Sequence, residues 1–308
     1  MTQDAIRLEA MLEAAVARDR AGDLGAAVAG YRQVLKHVPD HPPTLHRLGL
    51  AYLKLRDIAA AAPCLRRVSA LAPDRRLVLE ALGDAFQGEG APEAALAAYR
   101  RGLAAGGHEA RLGAKIDSVG FAAGHLKTTK PFRVRAELLD HALSQARAEG
   151  LVLEFGVAGG ASLRFLASRT RDTVYGFDSF NGLPETWTKG LEAGAFARSS
   201  LPTGLPANAE LVVGLFADTL PGFRDRHADV VRFAHIDCDL YSSTKTIFDL
   251  LGDRFGPGTV LVFDEYLNYP GWREHEHRAF AEFIEATSKS FDYIGWVRGS
   301  LQLAVRFR

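Results

Sequence analysis

The chain has 308 residues, a length typical of about two domains, and 47% of them are hydrophobic, enough for a sizeable buried core. Lysine plus arginine and aspartate plus glutamate number 37 each, so the net charge does not favour nucleic acid or an anionic membrane as a partner. The first ten residues lack an apolar segment, no stretch reaches the ~20 apolar residues of a membrane span, and Cys64 and Cys238 form no C-x-x-C pair. We therefore expect a cytoplasmic protein without a secretory signal or a zinc site.

The first hundred residues repeat with a period of 34. A small residue recurs at Ala27, Ala61 and Ala95, and Gly49 aligns with Gly83. Small side chains at these positions would let helices approach closely. The pattern resembles three tetratricopeptide repeats, at about 8–41, 42–75 and 76–109, each of which is a pair of helices. We therefore predict a helical repeat domain over residues 1–109.

The positions that face the concave groove in such repeats are apolar or acidic: Leu12, Val16, Leu50, Leu53, Leu77, Glu80 and Asp84. They form no basic clamp for a peptide carboxylate. We favour a groove that packs on the rest of the chain or on a second copy, which makes a homo-oligomer the expectation. Recruitment of a protein partner is the alternative. Residues 110–130 are rich in glycine and are predicted to be a linker, followed by a helix at 134–148.

A glycine-rich turn follows the apolar run at 151–155, and helical spacing resumes after it. The dinucleotide fingerprint needs glycines at its first, third and sixth places, where this chain has Gly156, Ala158 and Ala161, so an NAD site is disfavoured. An acid followed by small residues at alternate places, Glu154, Gly156, Ala158 and Gly160, resembles motif I of class I S-adenosylmethionine-dependent methyltransferases. Alanine at 158 still permits close approach of a ligand unless φ there must be positive.

Two acids follow the next predicted strands. The run at 173–177 ends at Asp178, 22 residues after Gly156, and an acid there can hydrogen-bond ribose hydroxyls. A helix cap or a turn is the equal alternative for Asp178. The run at 210–216 leads to Asp218, which is placed either to meet an adenine amino group or to cap the next helix.

Four acids crowd the ends of the next two predicted strands. The strand at 230–236 is followed by Asp237 and Asp239, and the strand at 259–263 by Asp264 and Glu265. The carboxyl ends of neighbouring parallel strands lie at one sheet edge, about 4.8 Å apart. Like charges so close repel, and either a bound hard cation or a shared proton relieves the repulsion; we predict a divalent cation, Mg²⁺. His235 is predicted to be a core residue facing the helical layer.

The end of the chain alternates apolar and polar residues at 301–308, as a half-covered antiparallel strand does. With residues 291–299 it predicts a terminal hairpin. The fold class is therefore an α-helical repeat domain followed, at 131–308, by an α/β domain. We expect the latter to be Rossmann-like, with a mostly parallel seven-stranded sheet and a C-terminal antiparallel hairpin.

Several motifs occur together over 128–308 in a specific order: L-E-F-G-V-A-G-G-A-S-L, G-F-D-S-F-N-G-L-P-E-T-W, F-A-D-T-L-P, H-I-D-C-D-L-Y-S-S-T-K and F-D-E-Y. Together they resemble the macrocin O-methyltransferase family of sugar methyltransferases. The resemblance implies metal-dependent methyl transfer from S-adenosylmethionine to a hydroxyl of a small metabolite or sugar. Carried over by position, the metal ligands are Asp237, Asp264 and Glu265, and Asp237 or Asp239 takes the hydroxyl proton. The implied cofactor-binding residues are Glu154, Gly156, Ala158, Gly160, Asp178, Ser179, Asp218 and Asp237.

Substrate choice is predicted to lie in the loops at 181–208 and 266–278. Trp187, Tyr266 and Trp272 are the candidates for substrate contact. His275 and His277 are predicted to lie on a solvated helical face, with a base or a substrate contact as the alternative. Two other functions stay open at this point: methyl transfer to nitrogen or a protein side chain, and a partner-binding scaffold with a ligand-sensing methyltransferase-like domain.

Overall fold

The computed structural model describes residues 3–308. The chain divides between residues 124 and 125 into two compact units. Throughout the described part of the chain, no helix has both the length and the apolar character needed to cross a membrane.

The first unit is entirely helical. Its helices are α1 (Gln3–Arg20), α2 (Leu24–His37), α3 (Pro42–Lys54), α4 (Ile58–Leu71), α5 (Arg76–Glu89), α6 (Pro92–Ala104) and α7 (Glu109–His125). Asp23 and Asp57, one period apart, cap α2 and α4 by accepting the backbone N–H of the residue three positions later, each at 3.1 Å. The predicted helix pairs are confirmed by this pattern.

Small residues bring the paired helices together. Ala27, Ala61 and Ala95 are fully buried. A Cβ added to Gly49 would lie 2.7 Å from the side chain of Leu65, and one added to Gly83 would overlap the ring of Tyr99. The 34-residue period therefore reflects direct steric contact between the two helices of each pair.

The predicted linker at 110–130 is instead mostly helical, because α7 covers 109–125. Leu112 and Val119 are buried against α6, while the glycines at 113, 120 and 124 are exposed and would tolerate a Cβ without contact. Each glycine costs a helix about 1 kcal/mol, and burial of the apolar face outweighs that cost. Glycine content alone was therefore a misleading sign of a linker.

Most of the apolar residues predicted to line the groove pack against the core of the repeats. Leu12, Val16, Leu50 and Leu53 are partly buried and pack against it, whereas Leu77 is 54% exposed. The two acids are paired within the unit: Arg111 contacts Glu80 at 2.7 Å and Lys115 contacts Asp84 at 2.5 Å. Helix α7 thus neutralises the acidic end of this surface.

The second unit is a sheet covered by helices. Its strands are β1 (Pro131–Phe132), β2 (Leu151–Phe155), β3 (Val174–Asp178), β4 (Ala209–Val213), β5 (Val231–Ile236), β6 (Val260–Phe263), β7 (Phe291–Val297) and β8 (Leu303–Phe307). The order across the sheet is β1-β7-β8-β6-β5-β2-β3-β4. Its longer helices are α8 (Arg135–Gln145), α9 (Ala161–Arg169), α10 (Phe216–Arg226), α11 (Tyr241–Leu251) and α12 (Glu276–Thr287).

The predicted topology is confirmed, with two differences in detail. Strand β8 is antiparallel to both of its neighbours, and the other pairs are parallel. The short strand β1 pairs with β7 and adds an eighth strand to the seven predicted. Strand β4 ends at Val213 rather than at 216, so Phe216 already begins α10.

The central strands of the sheet determine where the candidate ligand site lies. Every residue of β2 and β6 is buried, as expected for parallel strands covered on both faces. Backbone hydrogen bonds hold their carboxyl ends level: Asp237 donates its N–H to Phe155 at 2.8 Å, and Asp264 donates to Ile236 at 2.8 Å. The strand order reverses between β5 and β2, and ligands bind at such a switch point in open α/β sheets.

Candidate active site

The turn after β2 depends on two left-handed glycines. Gly156 has φ of 94° and Gly160, which precedes α9, has φ of 74°. A Cβ on Gly156 would overlap the backbone carbonyl oxygen of Asp237. Gly156 therefore allows the β2 turn and the end of β5 to pack directly against each other.

Ala158 also lies in the left-handed region, with φ of 46°. This is the condition under which the alanine was expected to be unfavourable. An L-residue other than glycine pays roughly 1–2 kcal/mol for that conformation. The turn therefore holds Ala158 in a strained conformation, and neighbouring contacts must maintain it.

Asp178, at the end of β3, fixes the same turn. Its Oδ2 accepts the backbone N–H of Val157 and of Ala158, each at 2.8 Å, and its Oδ1 accepts the N–H of Phe180 at 2.7 Å. A carboxylate offers about four acceptor positions. Three are occupied by backbone, which leaves one for a hydroxyl in the adjoining cavity.

The acids that follow β5 and β6 are joined by an arginine. Nη1 of Arg135, the first residue of α8, donates to Oδ2 of Asp237 at 3.1 Å and to Oδ2 of Asp264 at 3.0 Å. Gln302 also donates to Oδ2 of Asp264, at 3.2 Å. Asp264 is therefore held from three directions, because His235 contacts its other oxygen.

His235 is buried, as predicted, but it belongs to this acidic cluster and does not face an apolar helical layer. Its Nδ1 lies 2.9 Å from Oε1 of Glu154, and its Nε2 lies 3.3 Å from Oδ1 of Asp264. Burial opposes protonation, but the hydrogen bonds to Asp264 and Glu154 outweigh it and raise the pKa of His235 to about 10. The imidazolium thus balances two buried carboxylates.

The aspartates of this cluster differ in their electrostatics. Burial, and after it repulsion from Asp264, raises the pKa of Asp237 to about 7 and that of Asp239 to about 6. Asp264 is buried too, yet its hydrogen bond to His235 and its ion pair with Arg135 hold its pKa below the usual range. Asp264 is therefore the carboxylate whose ionised form the protein stabilises. Asp237 and Asp239, in contrast, lose their protons only close to neutral pH.

Glu265 lies beside another buried acid, Glu276. The backbone N–H of Glu265 donates to Oε2 of Glu276 at 3.0 Å. Within residues 3–308, Glu265 Oε2 and Glu276 Oε1 find no hydrogen-bond partner. Burial, with mutual repulsion, raises the pKa of Glu265 well above its usual value, and burial does the same for Glu276. Glu276 thus lies inside the protein, and His275 and His277, which were predicted to lie on a solvated face, are both partly buried.

One cavity of about 660 Å³ connects the glycine turn to these acids. At one end it is lined by residues 156–159, by Asp178 and Ser179, and by residues 214–217 of the β4–α10 connection. At the other end it is lined by Arg135, Asp237, Asp239 and Glu265. Its volume falls in the range of small-molecule sites.

Two family models match the two units. Residues 153–266 match a model described as a methyltransferase domain, and residues 20–85 match one described as a tetratricopeptide repeat. The chain carries a methyltransferase domain and tetratricopeptide repeats. The first match contains all the residues that line the cavity except Arg135 and Leu301. No curated protein sequence matches the chain.

Solved structures resemble each part. The calicheamicin methyltransferase CalS11 is 21% identical over 56% of this chain and 76% of its own, with a TM-score of 0.44. The O-methyltransferase NovP is 19% identical over 56% of this chain and 78% of its own, with a TM-score of 0.45. MamA from Desulfovibrio magneticus RS-1 is 26% identical over 39% of this chain and 68% of its own, with a TM-score of 0.37.

The methyltransferase domain places some of the predicted site residues at the cavity. Those that line it are Gly156, Ala158, Asp178, Ser179, Trp187, Asp237, Asp239 and Glu265. Gly160 is buried behind the turn and Glu154 is buried against His235. Asp218 is exposed in the first turn of α10 and does not line the cavity, because β4 ends three residues earlier than predicted.

Two predicted substrate contacts need correction. Tyr266 and Trp272 are each 2% exposed and do not line the cavity. Tyr266 packs against Phe263 and Phe280, and the ring of Trp272 meets that of His277 at 4.9 Å. Both aromatic residues therefore stabilise the segment that follows β6. Of the three predicted contacts, Trp187 is the one that reaches the cavity.

The predicted metal ligands are only partly brought together. Ligand atoms of His235, Asp237 and Asp264 lie within 4.8 Å of one another, and this is the group of three or more that the described residues form. Glu265 is not part of it. Both nitrogens of His235 already face carboxylates, so Asp237 and Asp264 are the two residues of the group with oxygen donors suited to Mg²⁺.

Sequence reasoning missed Arg135 and Glu276. Arg135 lies about 100 residues before Asp237, and nothing in the local sequence links it to the acids. Glu276 is the first residue of the amphipathic helix α12, whose buried positions are Glu276, Ala279, Phe280 and Phe283. Its spacing from those apolar residues was the available signal for burial.

Proposed function

We propose that the chain transfers a methyl group from S-adenosylmethionine to a hydroxyl of a small metabolite or sugar. The observation that carries the proposal is the single cavity that runs from the glycine turn to Asp237 and Asp239. A cofactor at one end and a hydroxyl at the other would meet within one cavity. Such proximity is the main requirement of a direct methyl transfer.

The nucleoside is assigned to the end formed by the turn and Asp178. The free acceptor position of Asp178 suits a ribose hydroxyl, and Leu215 and Phe216 supply apolar contacts for a base. Gly156 and Gly159 let the rest of the cofactor lie against backbone. This assignment places the sulfonium methyl toward the ends of β5 and β6.

The acceptor hydroxyl is assigned to the acidic end. Its oxygen attacks the methyl carbon, the carbon–sulfur bond breaks, and S-adenosylhomocysteine leaves with the bonding electron pair. The hydroxyl proton passes to a carboxylate, either Asp237 or Asp239, both of which line the cavity. A buried carboxylate pair at this place is needed for a hydroxyl acceptor more than for an amine, which attacks through a free lone pair.

A divalent cation fits the same end. Asp237 and Asp264 would hold it. Glu265 follows Asp264 at the end of β6, and its Oε2, which finds no partner in the described structure, is a further oxygen donor. When bound, the cation would lower the pKa of the acceptor hydroxyl. Arg135 and His235 offset part of the negative charge of the cluster in its absence.

The repeats are proposed to bind a protein partner or a second copy of the chain. Leu77 on α5 and Leu55 and Leu71 beside α3 and α4 are 42–54% exposed, which is the kind of apolar surface that contacts between proteins use. Sedimentation of the full chain at several concentrations would separate the two: self-association changes with concentration, whereas the partner reading predicts a monomer.

The first experiment measures S-adenosylhomocysteine binding by titration calorimetry on the full chain. We expect Asp178→Asn to weaken binding at least tenfold and the matched variant Asp218→Asn to leave it unchanged, because only Asp178 lines the cavity. Absence of binding by the unmodified chain, or equal loss in both variants, would contradict the cofactor assignment.

The second experiment follows transfer of a labelled methyl group to a library of hydroxylated metabolites and sugars. We expect product with the unmodified chain and a loss of at least 100-fold with Asp237→Asn. Activity toward amines or proteins that survives both EDTA and this variant would favour transfer to nitrogen. Cofactor binding without any transfer would favour a ligand sensor.

A further inference from the structure

Arg135 occupies the space between the two aspartates on which a cation would depend. It begins α8, lines the cavity, and has a side chain that is 37% exposed. A single nitrogen atom, Nη1, lies 3.1 Å from Oδ2 of Asp237 and 3.0 Å from Oδ2 of Asp264. These contacts are charge-assisted hydrogen bonds, which are about twice as strong as neutral ones.

An ion and this guanidinium need the same oxygen atoms. Mg²⁺ binds carboxylate oxygens at about 2.1 Å in a strict geometry. An ion held by both Oδ2 atoms would lie between them, where Nη1 now lies. Two positive groups at that spacing also repel each other strongly. The two occupants of the carboxylate pair are therefore mutually exclusive.

The orientation of Asp264 does not depend on Arg135 alone. Its Oδ1 contacts His235 at 3.3 Å, and Gln302 supports its Oδ2 at 3.2 Å. Neither contact comes from α8, so Asp264 keeps its orientation if Arg135 leaves. The partly exposed side chain of Arg135 can move into the cavity that it lines.

We propose that Arg135 is a built-in counter-ion of Asp237 and Asp264 that competes with a divalent cation for them. The ion binds only when the guanidinium has left, so Arg135 sets the cation affinity of the site. The inference shares Asp237 and Asp264 with the proposed function, but it concerns the binding equilibrium before any cofactor or acceptor is present.

The test measures Mn²⁺ binding to the full chain in the absence of cofactor and acceptor. The electron paramagnetic resonance signal of free Mn²⁺ reports how much of the ion is bound. We expect Arg135→Gln, which removes the competing charge, to bind Mn²⁺ at least about tenfold more tightly than the unmodified chain. Arg135→Lys keeps the charge and is expected to bind weakly, as the unmodified chain does. Arg171→Gln, which removes a charge from an exposed turn before β3, is the matched control and should change nothing.

A second variant locates the effect. Asp237→Asn added to Arg135→Gln should remove the gain in affinity. The proposal is overturned if Arg135→Gln binds Mn²⁺ no more tightly than the unmodified chain, if neither binds it, or if the gain survives Asp237→Asn. Circular dichroism checks that each variant folds, and Arg135→Met, which also removes the charge, takes the place of Arg135→Gln if that variant does not fold. S-adenosylhomocysteine binding by the same samples tests the proposed function separately, because a failure there leaves the Mn²⁺ comparison intact.

Discussion

The two units of this chain reach their packing in opposite ways. In the repeats, most helices pack on helices that are their neighbours in the sequence, and a glycine such as Gly83 lets a large side chain, that of Tyr99, approach the helix. In the methyltransferase domain, the cluster around Asp264 gathers groups from α8, β2, β5 and the residue that precedes β8. Local sequence therefore determines the first unit, whereas distant contacts determine the second.

The acids of the two units show the same contrast. Asp40 in the repeats pairs with Arg67 at 2.6 Å, and both side chains are at least 50% exposed, whereas Glu154 and His235 are both fully buried. Solvent screens the first pair, so it contributes little to stability. Removing one partner of the second would leave a buried charge without compensation.

The largest expected effect is that of Gly156→Ala. The new Cβ would overlap the carbonyl oxygen of Asp237, at a residue whose φ is 94°. We expect the free energy of unfolding of the methyltransferase domain to fall by about 4 kcal/mol and cofactor binding to be lost. All three tryptophans lie in this domain, so tryptophan fluorescence during urea unfolding measures it. The matched change Gly113→Ala, on the exposed face of α7, should be neutral or slightly stabilising.

The second effect separates the buried pair from the exposed one. Glu154→Gln removes the charge that faces Nδ1 of His235 at 2.9 Å and should destabilise the domain by about 3 kcal/mol. Asp40→Asn in the repeats removes an exposed partner of Arg67 and should cost far less. Urea unfolding gives the free energy of unfolding of each variant. Tryptophan fluorescence follows the Glu154→Gln variant, and circular dichroism follows the variant in the repeats. Equal losses would show that burial does not distinguish the two pairs.

The third effect tests the steric origin of the repeat period. Gly83→Ala places a methyl group against the ring of Tyr99 and should destabilise the repeats by about 2 kcal/mol. The helical signal in circular dichroism should then be lost at lower urea, while the tryptophan transition stays in place. A shift of both transitions together would mean that the two units unfold as one.

The smallest effect is a gain. Ala158→Gly relieves the left-handed strain at φ of 46° and should stabilise the methyltransferase domain by about 0.5 kcal/mol, after the greater flexibility of unfolded glycine is subtracted. Thermal unfolding followed by tryptophan fluorescence measures the change. A loss of stability would show that neighbouring contacts, rather than the backbone preference, decide this position.

Prediction succeeded where one segment carries the whole signal. The strand at 151–155, the turn that follows it and the terminal hairpin were recognised because periodicity and glycine spacing act over a few residues. The linker prediction was wrong because the burial of Leu112 and Val119 stabilises a helix by more than its three glycines destabilise it. The predicted substrate contacts of Tyr266 and Trp272 were wrong because an aromatic residue in a loop turns toward solvent or toward the core according to what surrounds it.

The sequence by itself determined the repeat period, the parallel strands whose acidic ends meet at one edge, and the methyltransferase domain, since hydrophobic spacing and parallel connections constrain these strongly. The tertiary structure alone decided which carboxylates share a cation, which are buried, and that Arg135 lies between Asp237 and Asp264. Charge interactions depend on distance and burial, and residues that are 100 positions apart in the sequence acquire both only when the chain folds.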